Sequence, residues 1–392
     1  MREKNKTIED IKVILKDFQK QYNEGNRYNV EAFVKKFFVD EKDTSLVGAG
    51  LNSWCFGIEN INDEINSYWT KEEKHLKYME FDIDNAVINL EDKVAVVSVS
   101  GKSIRNISEE KIYENMINKL SKELNADNVS RGTLAKLLNE TSEGIYNISL
   151  GEKYISLEEK YIEPFRVTMV MVNINSNWMI KHMKISFGSV NGLEITPTDH
   201  NIEDKFKIIP MEREDNLEIS KIQKVLQTFQ EAYDKRDINL VDSYGDELFH
   251  NDEELFIFGT GQGENFHGFK EGKELFEGDW KYWGDFNLNR ENAYISVLDN
   301  VAVVYSKARI EFTWGEDNVS RWPKMNLKYY LNETEKSNKE MTYEMLTSIA
   351  NCLDIIVNAK EKPLHAMKFL GVLVKKEGKW KFNHMHFSEI VE

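Results

Sequence analysis

Trp178-Met-Ile-Lys-His182-Met183-Lys-Ile-Ser186, near the middle of the chain, returns at its end as Trp380-Lys-Phe-Asn-His384-Met385-His-Phe-Ser388. The echo extends far beyond these nine residues. Residues 11–69 align with 222–280 without a gap, at a constant offset of 211. Ile11, Phe18, Gln19, Tyr22, Gly48, Gly57 and Trp69 recur as Ile222, Phe229, Gln230, Tyr233, Gly259, Gly268 and Trp280. Val94-Ala-Val-Val97 then matches Val301-Ala-Val-Val304, Asp127–Arg131 matches Asp317–Arg321, and Leu138–Thr141 matches Leu331–Thr334. Order is kept while the offset changes only between blocks, so one domain has been duplicated. The expected division is 1–187 for copy one, 188–217 for a linker carrying Pro197 and Pro210, and 218–392 for copy two.

Each copy opens on a helical apolar stripe. Ile8, Ile11, Leu15, Phe18 and Tyr22 recur at three- and four-residue spacing, with Thr7 and Asp10 as a capping box. Ile219, Ile222, Leu226, Phe229 and Tyr233 repeat the stripe. Short helices are expected over 29–38 and 240–249, then over 60–73 and 270–281, after the turns at Gly57 and Gly268. Alternation from Ala302 to Trp314 predicts a long half-buried strand. Hairpins follow at 167–187, turning at Asn175-Ser-Asn177, and at 369–387, turning at Lys376-Glu-Gly378. Helical insertions are expected near 112–124 and 342–358. Helices first and a curved antiparallel sheet after make each domain α+β.

Composition narrows the partners. Acidic side chains number 67 against 51 basic ones, a net charge of -16, which repels phosphate backbones and anionic membranes. No nucleic-acid or membrane partner is therefore expected. Cys55 and Cys352 are the only thiols, too few for a disulfide framework, and no apolar leader or spanning segment is visible. The expected location is cytoplasmic.

Copy two reads Phe258-Gly-Thr-Gly-Gln-Gly-Glu264, then Gly268, a helix ending at Trp280, a Val-Ala-Val-Val strand and the closing Trp-x-x-x-His-x-His-x-Ser run. That order resembles the SnoaL-like branch of the nuclear transport factor 2-like superfamily, over about 222–315 and 363–390. The resemblance implies cone-shaped domains, each wrapping a curved sheet around helices and leaving a pocket in the concavity. Relatives include ketosteroid isomerases, polyketide cyclases and dehydratases, and they commonly dimerise through the outer face of the sheet. A fused pair thus implies an internal pseudo-dimer, with further self-association left open. Copy one departs from the pattern, with Ala49 for Thr260, Ser53 for Glu264 and Lys184 for His386.

The candidate catalytic residues are His384, His386 and Glu264. Residues two apart on a strand share a face, so Phe382, His384, His386 and Ser388 are expected to point together. On a concave face, an imidazole there serves as general acid or base, with Glu264 or Tyr305 assisting. On a packed face, the same pair is held by hydrogen bonds inside the sheet. Trp283, Trp314 and Trp322 are candidate pocket residues, because aromatic side chains line small-molecule sites. His182 and Lys184 mark the corresponding position of copy one, where Lys184 either lowers the imidazole pKa or recruits an anion. Neither a metal site nor a cofactor is expected.

Three functions fit this scaffold. The first is a protein binding an apolar or aromatic small molecule. The second is an isomerase, cyclase or dehydratase acting on an apolar carbonyl compound in copy two. The third is a non-catalytic scaffold whose pockets are filled by side chains.

Overall fold

The computed structural model describes residues 2–26, 28–50, 52–70, 78–106, 160–187, 216–261, 263–311 and 364–390, with single positions at 138, 142, 346, 349, 350 and 353. The expected insertion at 112–124, most of that at 342–358, nearly all of the linker, Trp314 and Trp322 lie outside the described residues; the described positions 346, 349, 350 and 353 of the second insertion are helical.

Copy one begins with three helices, α1 (Arg2–Asn23), α2 (Val30–Phe37) and α3 (Ile58–Thr70). A short hairpin, β1 (Ser45–Val47) and β2 (Trp54–Phe56), separates α2 from α3. Then come β3 (Met79–Phe81), β4 (Val87–Glu91), β5 (Val94–Asn106), β6 (Lys160–Ile174) and β7 (Asn177–Phe187). Copy two repeats the order with α4 (Leu217–Lys235), α5 (Val241–Leu248), β8 (Phe256–Phe258), β9 (Asn265–His267) and α6 (Gly268–Tyr282). Its remaining strands are β10 (Asp285–Leu288), β11 (Tyr294–Leu298), β12 (Val301–Glu311), β13 (Leu364–Lys376) and β14 (Lys379–Glu389).

Each copy builds one seven-stranded sheet in the same order: β2-β1-β7-β6-β5-β3 with β4 on β5, and β9-β8-β14-β13-β12-β10 with β11 on β12. The chain is two tandem cone-shaped α+β domains. The expected antiparallel sheets are present, with one parallel strand pair in each. β1 runs alongside β7 and β8 alongside β14, because a strand from the helical half returns to the edge of the final hairpin. The capping box is also displaced, since α1 already begins at Arg2 and Thr7 lies inside it. In copy two Asn216 caps α4 instead, its side chain accepting from the Glu218 N–H.

Helix stripes and inward strand positions make one core per domain. Ile11, Leu15, Phe18 and Tyr22 pack on Phe165, Met169 and Ile185; Ile222, Leu226, Phe229 and Tyr233 pack on Phe369, Phe382 and Phe387. The matching glycines at the starts of α3 and α6, Gly57 and Gly268, adopt φ of +78° and +80°, the left-handed region that other residues avoid. The β6–β7 turn places Asn175 and Ser176 at φ of 50° and 70°, as a two-residue type I′ hairpin requires. Among the described residues, no helix is long and apolar enough to cross a membrane.

A third apolar cluster draws on both domains. Val47, Trp54, Val94, Val96 and Val170 of copy one meet Tyr305, Leu370, Val372 and Val374 of copy two. These residues lie on the sheet faces turned away from the helices, so the two sheets meet through their outer faces.

Candidate functional site

The repeated hairpins carry a β-bulge each. In β14, Phe382 pairs with Leu373 and His384 with Val372, which leaves Asn383 as an extra residue. In β7, Ile180 pairs with Met171 and His182 with Val170, which leaves Lys181 extra. One inserted residue reverses the side of everything after it. Phe382 therefore packs against the helices of its own domain, while His384, His386 and Ser388 turn outward. The expectation that Phe382 shares their face fails for this reason.

Outward here means between the sheets. His384 and His386 are fully buried, and hydroxyls of copy one hold all four of their ring nitrogens. Ser98 Oγ lies 3.1 Å from His384 Nδ1, and Thr168 Oγ1 lies 2.8 Å from His384 Nε2. The same Thr168 oxygen lies 2.9 Å from His386 Nδ1, and Ser186 Oγ lies 2.7 Å from His386 Nε2. Burial, reinforced by the nearby Lys184 ammonium, pushes the His384 pKa down to about 3 and that of His386 well below its ordinary value. Both imidazoles are neutral structural groups at physiological pH. They face no cone interior.

The copy-one counterparts sit in the same layer. His182 Nδ1 lies 2.9 Å from Ser45 Oγ, and its Nε2 has no partner among the described residues. The rings of Tyr294 and Tyr305 stand 6.2 and 6.1 Å from it. Its pKa falls to about 3 through burial first and then through Lys181, so Lys184 is not the cause expected from the sequence. Lys184 instead donates across the interface, to the carbonyls of Lys368 (2.7 Å) and His386 (2.6 Å). Tyr305, a suggested catalytic assistant, also belongs to this layer; it is buried and its hydroxyl donates to the Met183 carbonyl at 3.4 Å.

Two cations that sequence reasoning missed cross the same boundary. Lys368 Nζ donates to the carbonyls of Gly48 (2.9 Å), Gly50 (2.6 Å) and Ser53 (3.2 Å) and lies over the Trp54 ring. Arg166, at the matching position of copy one, donates to Thr260 O (3.2 Å) and Gly261 O (3.1 Å) and lies over Phe258. Each domain's glycine loop is thus tied by the other domain's cation. The signal was a lone basic residue inside an apolar strand, Met367-Lys-Phe or Phe165-Arg-Val.

Glu264 serves its own loop. Its Oε2 accepts from the Gly261 N–H at 2.7 Å and from Thr260 Oγ1 at 3.5 Å. A Cβ on Gly259 would come within 2.4 Å of that carboxylate, and one on Gly48 within 2.2 Å of Ser53 Oγ. The two glycines recur because a side chain folds back over each. Trp283 stacks on Phe286 and meets Phe387 edge-on within the aromatic core of copy two.

That core holds a polar pair the sequence analysis also missed. Tyr233 donates its hydroxyl to Asp279 Oδ2 at 2.6 Å, with Trp280, Trp283 and Phe286 around its ring. Enclosure of the Asp279 carboxyl raises its pKa to about 8, more than the Tyr233 bond lowers it. The indole N–H of the adjacent Trp280 is buried without a partner among the described residues. Asp279 could have been found: it continues the Gly272, Leu275, Phe276 stripe of α6, where an apolar residue is expected. Copy one has Tyr68 at this position, and its acid is Glu64, which accepts from Ser53 Oγ. Among the described residues, no group of three or more His, Cys, Asp or Glu side chains is placed to hold a metal ion.

No protein-family model matches the chain, and no curated protein matches it. Solved structures do. An NTF2-like superfamily protein from Salmonella enterica is 14% identical, with 44% of this chain and 92% of that one covered and a TM-score of 0.29. An NTF2-like protein of unknown function from Shewanella oneidensis is 13% identical, covering 44% and 100% of the two chains, with a TM-score of 0.26. A ketosteroid isomerase-like protein from Erwinia carotovora is 13% identical, covering 45% and 99%, with a TM-score of 0.27. The solved structures to which this chain is similar are thus NTF2-like superfamily proteins, matched over less than half of its length.

Proposed function

We propose that the chain is a small-molecule-binding protein whose two domains form an internal pseudo-dimer, with the ligand's polar end held in the cone of copy two. Its ligand class is an apolar or aromatic compound bearing a carbonyl. The supporting observation is the Tyr233–Asp279 pair beside the unpartnered indole N–H of Trp280. With a pKa near 8, Asp279 is largely protonated at neutral pH and offers an O–H donor. A protonated Asp279 carboxyl and the indole N–H of Trp280, both near the aromatic rings around Tyr233, are donors of the kind a carbonyl oxygen takes. The crossed cations Arg166 and Lys368 and the shared apolar cluster support the pseudo-dimer.

An isomerase- or dehydratase-type activity in the same cone is the second reading, favoured by the near-neutral pKa of Asp279. Asp279 replaces His384 and His386 as the proton-transfer group in this reading, because the histidines are enclosed between the sheets.

Titration with 2-acetylnaphthalene, followed by tryptophan fluorescence, tests the binding site. Binding should weaken about tenfold in both Asp279→Ala and Trp280→Phe, the loss of roughly one hydrogen bond each. Unchanged affinity in both variants would sink the assignment. Absence of binding in the wild type would favour the scaffold with filled cones.

A further inference from the structure

The last turn of α6 carries Asp279 and Trp280, and a side chain from the end of α4 holds that turn. Arg236 Nε donates to the Trp280 carbonyl at 3.3 Å, and its Nη2 donates to the carbonyls of Asp279 (3.3 Å) and Trp283. Carbonyls at a helix C-terminus run short of partners within the helix, and the dipole there favours a cation. Nη1 pairs with the exposed Asp285 carboxylate at 3.0 Å. Arg236 itself ends α4 at φ 46° and ψ 36°, a left-handed conformation that costs a residue bearing a Cβ. Such residues persist where surrounding contacts over-determine them, and they gather at functional sites.

Copy one lacks this device. Its counterpart at the offset of 211 is Gly25, where a Cβ would lie 2.1 Å from the Trp69 ring. The acid is missing along with the cation, since Tyr68 stands where copy two has Asp279. Cation and acid thus occur together, in copy two.

We infer that Arg236 is the positioning residue of the copy-two site, fixing the turn that presents the Asp279 carboxyl and the Trp280 N–H to a ligand. This role rests on the ligand site proposed above. The guanidinium also acts on Asp279 by charge. Burial raises the Asp279 pKa to about 8 and Glu264 adds to the rise, while the Tyr233 hydroxyl and Arg236 oppose it. Removing the cation therefore keeps the carboxyl protonated to higher pH.

Two titrations of the full chain separate this role from the site itself. Carbon-13 NMR of labelled aspartate carboxyls follows Asp279 without ligand, its signal assigned by its loss in Asp279→Ala. Arg236→Gly suits the left-handed backbone and removes the side chain; Arg236→Lys keeps the charge without the planar fork. The Asp279 midpoint should rise by about half a pH unit in Arg236→Gly and stay at the wild-type value in Arg236→Lys. Affinity for 2-acetylnaphthalene at pH 7 should weaken about tenfold in both variants, since both lose the clamp on the turn. An unmoved midpoint in Arg236→Gly overturns the role of Arg236 and leaves the site standing. So does full affinity in Arg236→Gly when Asp279→Ala binds poorly. Equal affinity in Asp279→Ala and the wild type, or a wild type that does not bind, overturns the site and the positioning role with it. Should Arg236→Gly fail to fold, Arg236→Gln carries the same two tests.

Discussion

Arg166 and Lys368 occupy equivalent strand positions, and each sends its cation into the glycine loop of the other domain. Those cations reach carbonyls of Gly48, Gly50 and Ser53 on one side and of Thr260 and Gly261 on the other. The boundary between the domains therefore does more than glue two sheets. It ties a loop of each domain to a strand of the other.

Removing one of these cations should loosen that arrangement. Lys368→Met leaves three carbonyls without their donor and is expected to cost about 2–4 kcal/mol. Calorimetry should then resolve two transitions where the wild type shows one. A single transition at an unchanged temperature would rule out a coupling role for Lys368.

The hydroxyl of Thr168 serves two imidazoles at once. Thr168→Val keeps the shape and leaves one nitrogen on each ring unpaired, so a loss of about 2–3 kcal/mol is expected in urea unfolding. Ser98→Ala disturbs one ring only and should cost about half as much. Equal costs would contradict the shared-hydroxyl arrangement.

Acid should destabilise the protein through its buried histidines. His182 and His384 have folded pKa values of about 3 against an ordinary 6.5. Their stabilising contribution is complete above pH 6.5 and is lost as pH falls from there toward 3, because the unfolded chain takes up protons first. Each adds a slope of at most about 1.4 kcal/mol per pH unit in that window. Urea midpoints measured at pH 7, 6, 5 and 4 should fall steadily. Replacing His384 with Asn should flatten the curve.

Asp279 works in the opposite sense. Its folded pKa of about 8 lies above the ordinary 3.8, so it costs stability increasingly as pH rises from 4 to 8. Asp279→Asn should therefore raise stability at pH 8 by at least about 1 kcal/mol while impairing ligand binding. No gain at pH 8 would show that the carboxyl is already ionised at no cost.

Much of this was readable in the chain. The duplication, the helix stripes and both hairpins follow from spacing alone, because each domain repeats the same periodic burial. What was misread is that Phe382 shares a face with His384 and His386, although a signal was present. Apolar residues run Trp380, Phe382 and then Met385, Phe387, a change of parity that repeats as Trp178, Ile180 and then Met183, Ile185. A parity change inside a strand marks a bulge. Arg166 and Thr168 were harder to find. Their partners lie 94 to 218 residues away, and nothing local encodes a contact at that separation.

The boundary is also lopsided in a way that bears on the chain's history. Where copy one offers His384 a serine and a threonine, copy two offers His182 the rings of Tyr294 and Tyr305, and one nitrogen of His182 has no partner among the described residues. Two identical subunits would carry every change at such a contact twice, once on each side of the axis. A buried lysine like Lys184 would then confront its own twin. Joined in one polypeptide, the halves are released from that constraint, and one side can drift while the other holds. The duplicated gene product has used this freedom where a symmetric assembly could not.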